Sequence, residues 1–387
     1  MSERNARAVD VAVIGGGVIG LAIAWRVCQR GLGVVLLDRG APGWGTSRMA
    51  AGMLAPIAET TPGEEPLLHL GLAGVRLYDD FVRDLSAAAG GLEIGHTRCG
   101  TLLVARDADE AEALERELTL RQRYGLAVQR LRASEARRRE PALAPALRLA
   151  LDVPDDHAVD PRRLSAALVA AVTRAGGQIR ADTEVAALEI VDGTVRGLTL
   201  AGGQRLAARQ VVVAAGVWSG GLEGVPPGAR IPLRPVKGQI MRLHDPSGPG
   251  LLTRVIRMGS SYVVPRGDGR YVIGATSEER GFDTTVTAGA AFELLRDASE
   301  LVPGVSELLL DEFSAGLRPA TPDNLPVIGP SSIAGLHWAT GHRRGGILLA
   351  PITAELIVRS LIGEDPGPLA PAFAPARFAP GSARSRG

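Results

Sequence analysis

The stretch that most limits what this chain can become is its beginning. An apolar run, Val9–Ile14, leads into Gly15-x-Gly17-x-x-Gly20. An apolar helical pattern follows over residues 21–29, and a second apolar run, Val34–Leu37, ends in Asp38. Asp38 falls 18 residues after Gly20, close to the roughly 20-residue spacing of a dinucleotide-binding strand–helix–strand unit. Gly15 suits a tight turn, Gly17 lets backbone amides approach a pyrophosphate, and Gly20 lets the helix pack closely on the strand. The helix N-terminus offers unpaired N–H donors to phosphate, and Asp38 offers an acceptor for ribose hydroxyls. This stretch predicts a bound dinucleotide and leaves open whether it is FAD or NAD.

Length and charge narrow the function. The 387 residues carry 45% hydrophobic and 22% charged residues, the composition of a globular protein of two or three domains. Basic and acidic residues nearly cancel, 43 against 42, which argues against nucleic acid as a partner. No apolar run reaches the length of a membrane span. Residues 1–8 are polar and carry no secretory pattern, so a cytoplasmic location is expected. Cys28 and Cys99 form no CxxC pair, and no metal site is expected. Lys237 is the only lysine in the chain. It reads either as a surface or core-edge residue or as an ammonium that promotes oxygen reduction. His157, just before the helix start at Asp160-Pro161, reads as a structural loop residue.

The pattern alternates between two kinds of segment. Residues 68–85, 107–124 and 162–175 have helical periodicity, and residues 210–216 read as a buried strand running into a glycine. Short alternating runs at residues 230–243, 254–258, 262–265 and 271–276 read as an antiparallel sheet, and a helix is expected over 288–301. Residues 316–349 read as loops with short apolar runs, and residues 351–362 as a closing helix. The expected fold is α/β. A Rossmann-like nucleotide domain takes residues 1–80, 150–225 and 315–365, interleaved with an antiparallel-sheet substrate domain at 81–149 and 226–314. Residues 366–387 read as a flexible tail.

The later half holds motifs that a generic nucleotide fold does not require. Gly316-Leu317-Arg318-Pro319 precedes Thr321-Pro322-Asp323-Asn324-Leu325-Pro326-Val327-Ile328-Gly329, and Gly341-His342-Arg343-Arg344-Gly345-Gly346-Ile347-Leu348 follows. With the first glycines, Ala51-Gly52-Met53, Ala214-Ala215-Gly216-Val217-Trp218 and Pro235-Val236-Lys237-Gly238-Gln239, this pattern resembles the D-amino-acid-oxidase-like FAD-dependent oxidoreductases, and among them the glycine oxidase family, over roughly residues 9–362.

The resemblance implies FAD. It places Gly15, Gly17, Val18, Ile19, Gly20, Asp38, Arg39, Thr46, Ser47, Ala51, Gly52, Met53 and Val185 around the adenosine, phosphates and flavin. It places His342, Arg343, Arg344, Gly345, Gly346, Ile347 and Leu348 against the flavin ring. Because relatives that bind flavin covalently use a cysteine near the chain end and none follows Cys99 here, the FAD is expected to be non-covalent.

It also implies that Arg318 pairs with the substrate carboxylate, assisted by Tyr262 and Arg344. Guanidinium presents a planar fork suited to a carboxylate. The implied reaction is oxidative deamination of glycine or another small amine or D-amino acid, with oxygen as electron acceptor and hydrogen peroxide as product. The glycine imine would pass to a thiazole synthase in thiamine synthesis. A dehydrogenase passing electrons to a carrier is the alternative. A homo-oligomer is implied by the same resemblance. Ser260, Ser277, Arg343 and Gly345 depart from the family pattern, which bears on side-chain preference more than on reaction type.

Overall fold

A computed structural model describes residues 8–379; the polar start and the end of the expected tail, residues 1–7 and 380–387, lie outside them. Among the described residues the chain builds two eight-stranded sheets and one small three-stranded sheet.

The first sheet grows from Val9–Ile14, flanked in parallel by Val34–Leu37 on one side and Arg205–Val213 on the other. Leu336–Thr340 adds in parallel beyond Arg205–Val213, and Gln178–Arg180 beyond Val34–Leu37. Val34–Leu37 is a continuous apolar run, and the end of Arg205–Val213 another, because both faces are covered there. The helix Val18–Gln29 buries Leu21, Ile23, Trp25 and Val27 beneath the helices Glu65–Ala88, Pro161–Arg174 and Gly346–Leu361. On the other face, Trp338, Leu198 and Val213 pack in a separate apolar cluster. Arg205–Val213 is one strand: its start pairs with Thr194–Leu200 as a hairpin and its end joins the parallel sheet. Its burial changes midway, so only the part from residue 210 reads as a buried strand in the sequence.

The second sheet runs Leu309–Ala320, Arg234–His244, Arg270–Gly274, Ser261–Pro265, Val255–Met258, Thr101–Ala105, Leu149–Val153, Gln129–Arg132. It is antiparallel except where Val255–Met258 meets Thr101–Ala105 in parallel. Its far face is covered by the helix Ala288–Leu301, whose Leu294, Ala298 and Leu301 join Met241, Leu243, Ile256 and Ile273 in one cluster. No helix among the described residues is long and apolar enough to cross a membrane.

Several expectations are corrected. Residues 316–320, expected to begin a stretch of loops, instead end the 12-residue strand Leu309–Ala320. Most of its residues are half-buried and show no clean alternation, so no period-2 signal marks it. His157 sits in the strand His157–Val159 rather than a loop. The helix Glu65–Ala88 runs unbroken across the expected boundary at 80, Leu149–Val153 lies in the second sheet rather than opening a nucleotide segment, and Leu309–Ala320 runs across the boundary at 314. The tail is docked as far as it is described: two short 3-10 turns, Ala370–Phe373 and Pro375–Phe378, pack on Val327–Pro330, and Phe373 is fully buried.

The last helix begins at Gly346, five residues before the proline expected to open it. Pro351 inside the helix removes the bond to the carbonyl four residues earlier. That carbonyl belongs to Ile347, and the buried Tyr78 hydroxyl donates to it at 3.0 Å. The proline is therefore tolerated because a side chain from another helix replaces the missing amide.

Two stability outcomes follow. Phe373→Ala should lower the unfolding free energy by about 3–5 kcal/mol, the usual cost of emptying a buried aromatic site, measured by urea denaturation. Tyr78→Phe should cost about 1–3 kcal/mol by leaving the Ile347 carbonyl buried without a donor, read in the same experiment.

Candidate active site

One cavity of about 820 Å³ runs from the glycine turn of the first sheet to the face of the second. At one end, Gly15 turns at φ +106°, and a Cβ there would lie 2.5 Å from the Ala214 carbonyl oxygen. A Cβ on Gly20 would lie 1.9 Å from the Gly15 carbonyl oxygen. Gly20 thus serves helix packing and does not line the cavity, whereas Gly15, Gly17, Val18 and Ile19 do.

The Asp38 carboxylate accepts from Gly16 N at 2.6 Å and Gly40 N at 2.9 Å. It holds the glycine turn against the second strand, with lone pairs left toward the cavity. Ser47 Oγ accepts from Val18 N at 2.9 Å, capping the helix from 29 residues away. Its own O–H remains to be donated to a ligand. Thr46 Oγ1 donates to the Leu317 carbonyl at 2.9 Å, joining this end to the strand that carries Arg318. Arg39 lies 3.9 Å over the Trp218 ring, and both line the cavity with Val185.

The middle is formed by Ala51, Gly52 and Met53. Gly52 has φ +79°, and a Cβ would lie 2.0 Å from the Val159 carbonyl oxygen. Arginines of the second sheet and its turns hold this segment by its carbonyls. Arg266 donates to Ala51 O at 2.6 Å and Val159 O at 2.8 Å, and Arg242 to Arg48 O at 2.6 Å. Burial pushes both guanidinium groups down to about 10, still cationic at neutral pH.

At the other end stand Arg318, from Leu309–Ala320, and Tyr262, from Ser261–Pro265. Arg318 Nη1 donates to Thr276 O at 3.0 Å and Lys237 O at 3.4 Å. Among the described residues no carboxylate comes within ion-pair distance of it. The Tyr262 hydroxyl lines the cavity with no hydrogen-bond partner there. Burial pushes its phenol up, opposed in part by the Arg318 charge, so it stays a neutral donor at ordinary pH. Two glycines make room for this pair. A Cβ on Gly238 would lie 2.3 Å from Arg318 Nη2, and one on Gly274 2.2 Å from the Tyr262 hydroxyl.

The late segment closes the cavity with His342, Arg343, Arg344, Gly346 and Ile347. Gly345 is the N-cap of the last helix, so that helix's first amides and positive end lie at the cavity wall. Gly345 and Leu348 themselves line a small side pocket shared with Glu59, Glu64 and Asn324. The His342 ring bonds Thr353 Oγ1 at 3.0 Å, and burial pushes it down to about 3, so it is neutral at physiological pH. Arg343 takes φ +44° and donates its N–H to Pro319 O at 2.9 Å. Arg344 is exposed and makes no hydrogen bond or ion pair among the described residues.

The sequence did not single out Glu59, Trp218, Ile240, Phe282 or Thr340 as site residues, yet they line the same cavity. Ile240 was within reach: it shares with Gly238 the alternate face of one strand. Glu59, Trp218 and Phe282 sit on irregular segments, where no periodicity marks a face. Glu59 is held by Arg257 at 3.0 Å, and its turn is pinned by buried Asp156 and Arg121. Lys237 does not reach the cavity. On Arg234–His244, Gly238 and Ile240 face it, and Lys237 and Gln239 face away.

The donor set suits FAD: glycines where a pyrophosphate must come close, two helix N-termini, an acid beside the first turn, and at the far end a guanidinium without a carboxylate partner beside a tyrosine hydroxyl.

Residues 10–360 match the family described as DAO, FAD dependent oxidoreductase. A glycine oxidase from Geobacillus kaustophilus is 37% identical over 350 residues, covering 90% of this chain and 91% of the relative. The crystal structure of glycine oxidase from Geobacillus kaustophilus superposes with a TM-score of 0.89 at 35% identity, over 96% of this chain and 99% of that one. The bifunctional protein ThiO/ThiG of Synechocystis is 37% identical over 95% of this chain, which spans 54% of that protein.

Gly238→Ala should displace the Arg318 guanidinium. It is expected to lower kcat/KM by about a hundredfold, as small misplacements of positioning groups do, mainly through KM. Steady-state kinetics together with FAD content separate this from loss of cofactor.

Proposed function

The chain belongs to the FAD-dependent oxidoreductase family, and from that premise we infer that its cavity holds FAD and presents the reacting end to a small amino acid seated on Arg318 and Tyr262. The adenosine end is then taken by Asp38, Arg39, Thr46, Ser47 and Val185. The flavin end is taken by Ala51, Gly52, Met53 and the segment His342, Arg343, Arg344, Gly346 and Ile347. The FAD is non-covalent, since neither Cys28 nor Cys99 lines the cavity.

The observation that carries this reading is the Arg318 guanidinium, half-buried on the cavity wall with no carboxylate of its own. Held by two backbone carbonyls, it keeps free N–H donors for a substrate carboxylate. Tyr262 donates a second hydrogen bond, and Arg344 adds positive charge. FAD bound here supplies a two-electron acceptor for the substrate Cα–H. The protein's part is to fix the substrate's orientation, exclude water from the Tyr262 side, and keep the amine neutral. His342 is neutral, too weakly basic to take up a proton at neutral pH and bonded to Thr353, and Glu59 is engaged by Arg257. Orientation and charge complementarity therefore carry the catalysis. The imine released hydrolyses to a 2-oxo acid and ammonia, and oxygen takes the electrons to give hydrogen peroxide.

Glycine is the preferred substrate in this reading, supported by the glycine oxidase relative. The ThiO/ThiG fusion supports delivery of the imine to a thiazole synthase in thiamine synthesis. A single panel tests it: anaerobic flavin bleaching and aerobic peroxide formation with glycine, sarcosine, D-alanine and D-proline. Bleaching and peroxide with glycine are expected. No bleaching by any of the four overturns amine oxidation, and fast bleaching with slow reoxidation points instead to a dehydrogenase serving another carrier. Arg318→Ala should cost about 2–4 kcal/mol of transition-state binding, the loss of a charge-assisted bond to a carboxylate left unpaired. A wild-type kcat/KM in that variant would remove the assignment.

A further inference from the structure

The chain's only lysine is nearly the most buried charged residue in the protein. Lys237 is 1% exposed, and its Nζ pairs with Asp283 Oδ2 at 3.0 Å. It lies on the face of Arg234–His244 turned away from the cavity, so it does not approach the substrate. Its partner belongs to an exposed irregular segment, residues 277–287, between the strand Arg270–Gly274 and the helix Ala288–Leu301.

That segment is fastened at three points by two buried side chains of one strand. Lys237 and Glu278 exchange two backbone bonds, N to O at 2.8 and 3.0 Å. Gln239, fully buried, donates to Glu278 Oε1 at 2.8 Å and accepts from Thr287 N at 2.9 Å, so it ties the start of the segment to its end. Lys237 then holds the middle through Asp283, whose other oxygen accepts from Thr285 N and Oγ1. Thr287 caps the following helix. An exposed loop held this way is a fixed strap.

The residue next to Asp283 shows what the strap is for. Phe282 is 57% exposed, yet it lines the cavity and leans on Trp218, with ring centroids 6.1 Å apart. Trp218 in turn lies under Arg39. The stack Arg39–Trp218–Phe282 brings the loop of the second sheet onto the rim beside Arg39. Unlike the exposed rings Trp44 and Phe292, Phe282 stands at the cavity wall against another aromatic ring, where a planar ligand can stack on it. We propose that the strap 277–287 is a clamp over the adenosine half of FAD, with Phe282 as its closing ring and Lys237 as the positioning residue that holds it through Asp283. This rests on the reading of the cavity given above.

The test is the rate of FAD release from the holoenzyme, followed by the return of free-flavin fluorescence on dilution. Phe282→Ala should release FAD about tenfold faster, since an aromatic contact acts mainly on the off-rate. Phe282→Trp, which keeps a ring, should release it near the wild-type rate. Asp283→Asn and Lys237→Met should both speed release. The double variant K237M/F282A should be no faster than F282A, because Lys237 acts through the ring. Phe282 and Asp283 are exposed enough that their variants keep the fold, should Lys237→Met fail to. A wild-type protein that holds FAD while F282A releases it at the same rate overturns the clamp alone; a wild type that holds no FAD overturns the cavity reading with it. Additive effects of K237M and F282A would also overturn it, as would K237M slowing reoxidation by oxygen with release unchanged.

Discussion

The cavity is built outward from one short hydrogen bond, Gly16 N to the Asp38 carboxylate at 2.6 Å. It locks the turn after the first strand to the end of the second. The turn in turn requires bare glycines, because Gly15 presses on the Ala214 carbonyl and Gly20 on Gly15 itself. A carboxylate is the right partner: one oxygen fixes the turn, the other fixes the loop at Gly40, and neither bond exhausts its lone pairs. The helix Val18–Gln29 is thereby aimed, and with it the amide-rich end that a pyrophosphate needs.

The two large sheets meet through backbone carbonyls gripped by arginine. Arg242 and Arg266 reach from the second sheet to Arg48, Ala51 and Val159. Thr46 reaches back to Leu317, and Arg343 N to Pro319. Buried guanidinium groups need partners, and carbonyls supply them without neutralising the charge. The cavity is therefore lined by segments whose positions depend on both sheets at once, and its far end stays electropositive.

Glycine does as much around Arg318 and Tyr262 as at the first turn, for a different reason. Gly238 and Gly274 are not needed for their backbone angles. They remove the Cβ atoms that would overlap the Arg318 guanidinium and the Tyr262 ring. The same strand that spares room at Gly238 points Lys237 to the opposite face, where it anchors the strap. One alternation decides both.

How much of this was legible depended on whether a signal was local. The glycine turn, its helix and Asp38 are set by short-range sterics and a fixed spacing, so the sequence by itself determined a dinucleotide fold. Arg318 and Tyr262 stood in quotable motifs, and the structure brings them to one cavity. The strand Leu309–Ala320 was not legible, since its mostly half-buried residues lack a period. Nor was the start of the last helix, since Pro351 is accommodated only by a tyrosine hydroxyl some 270 positions away (|i−j| = 269 between Tyr78 and Ile347). The docked tail and the Phe282–Trp218 stack likewise join residues with no sequence relation. Only the tertiary structure decided which way Lys237 points, because a side chain's face is a property of the sheet it pairs into, not of the residues beside it.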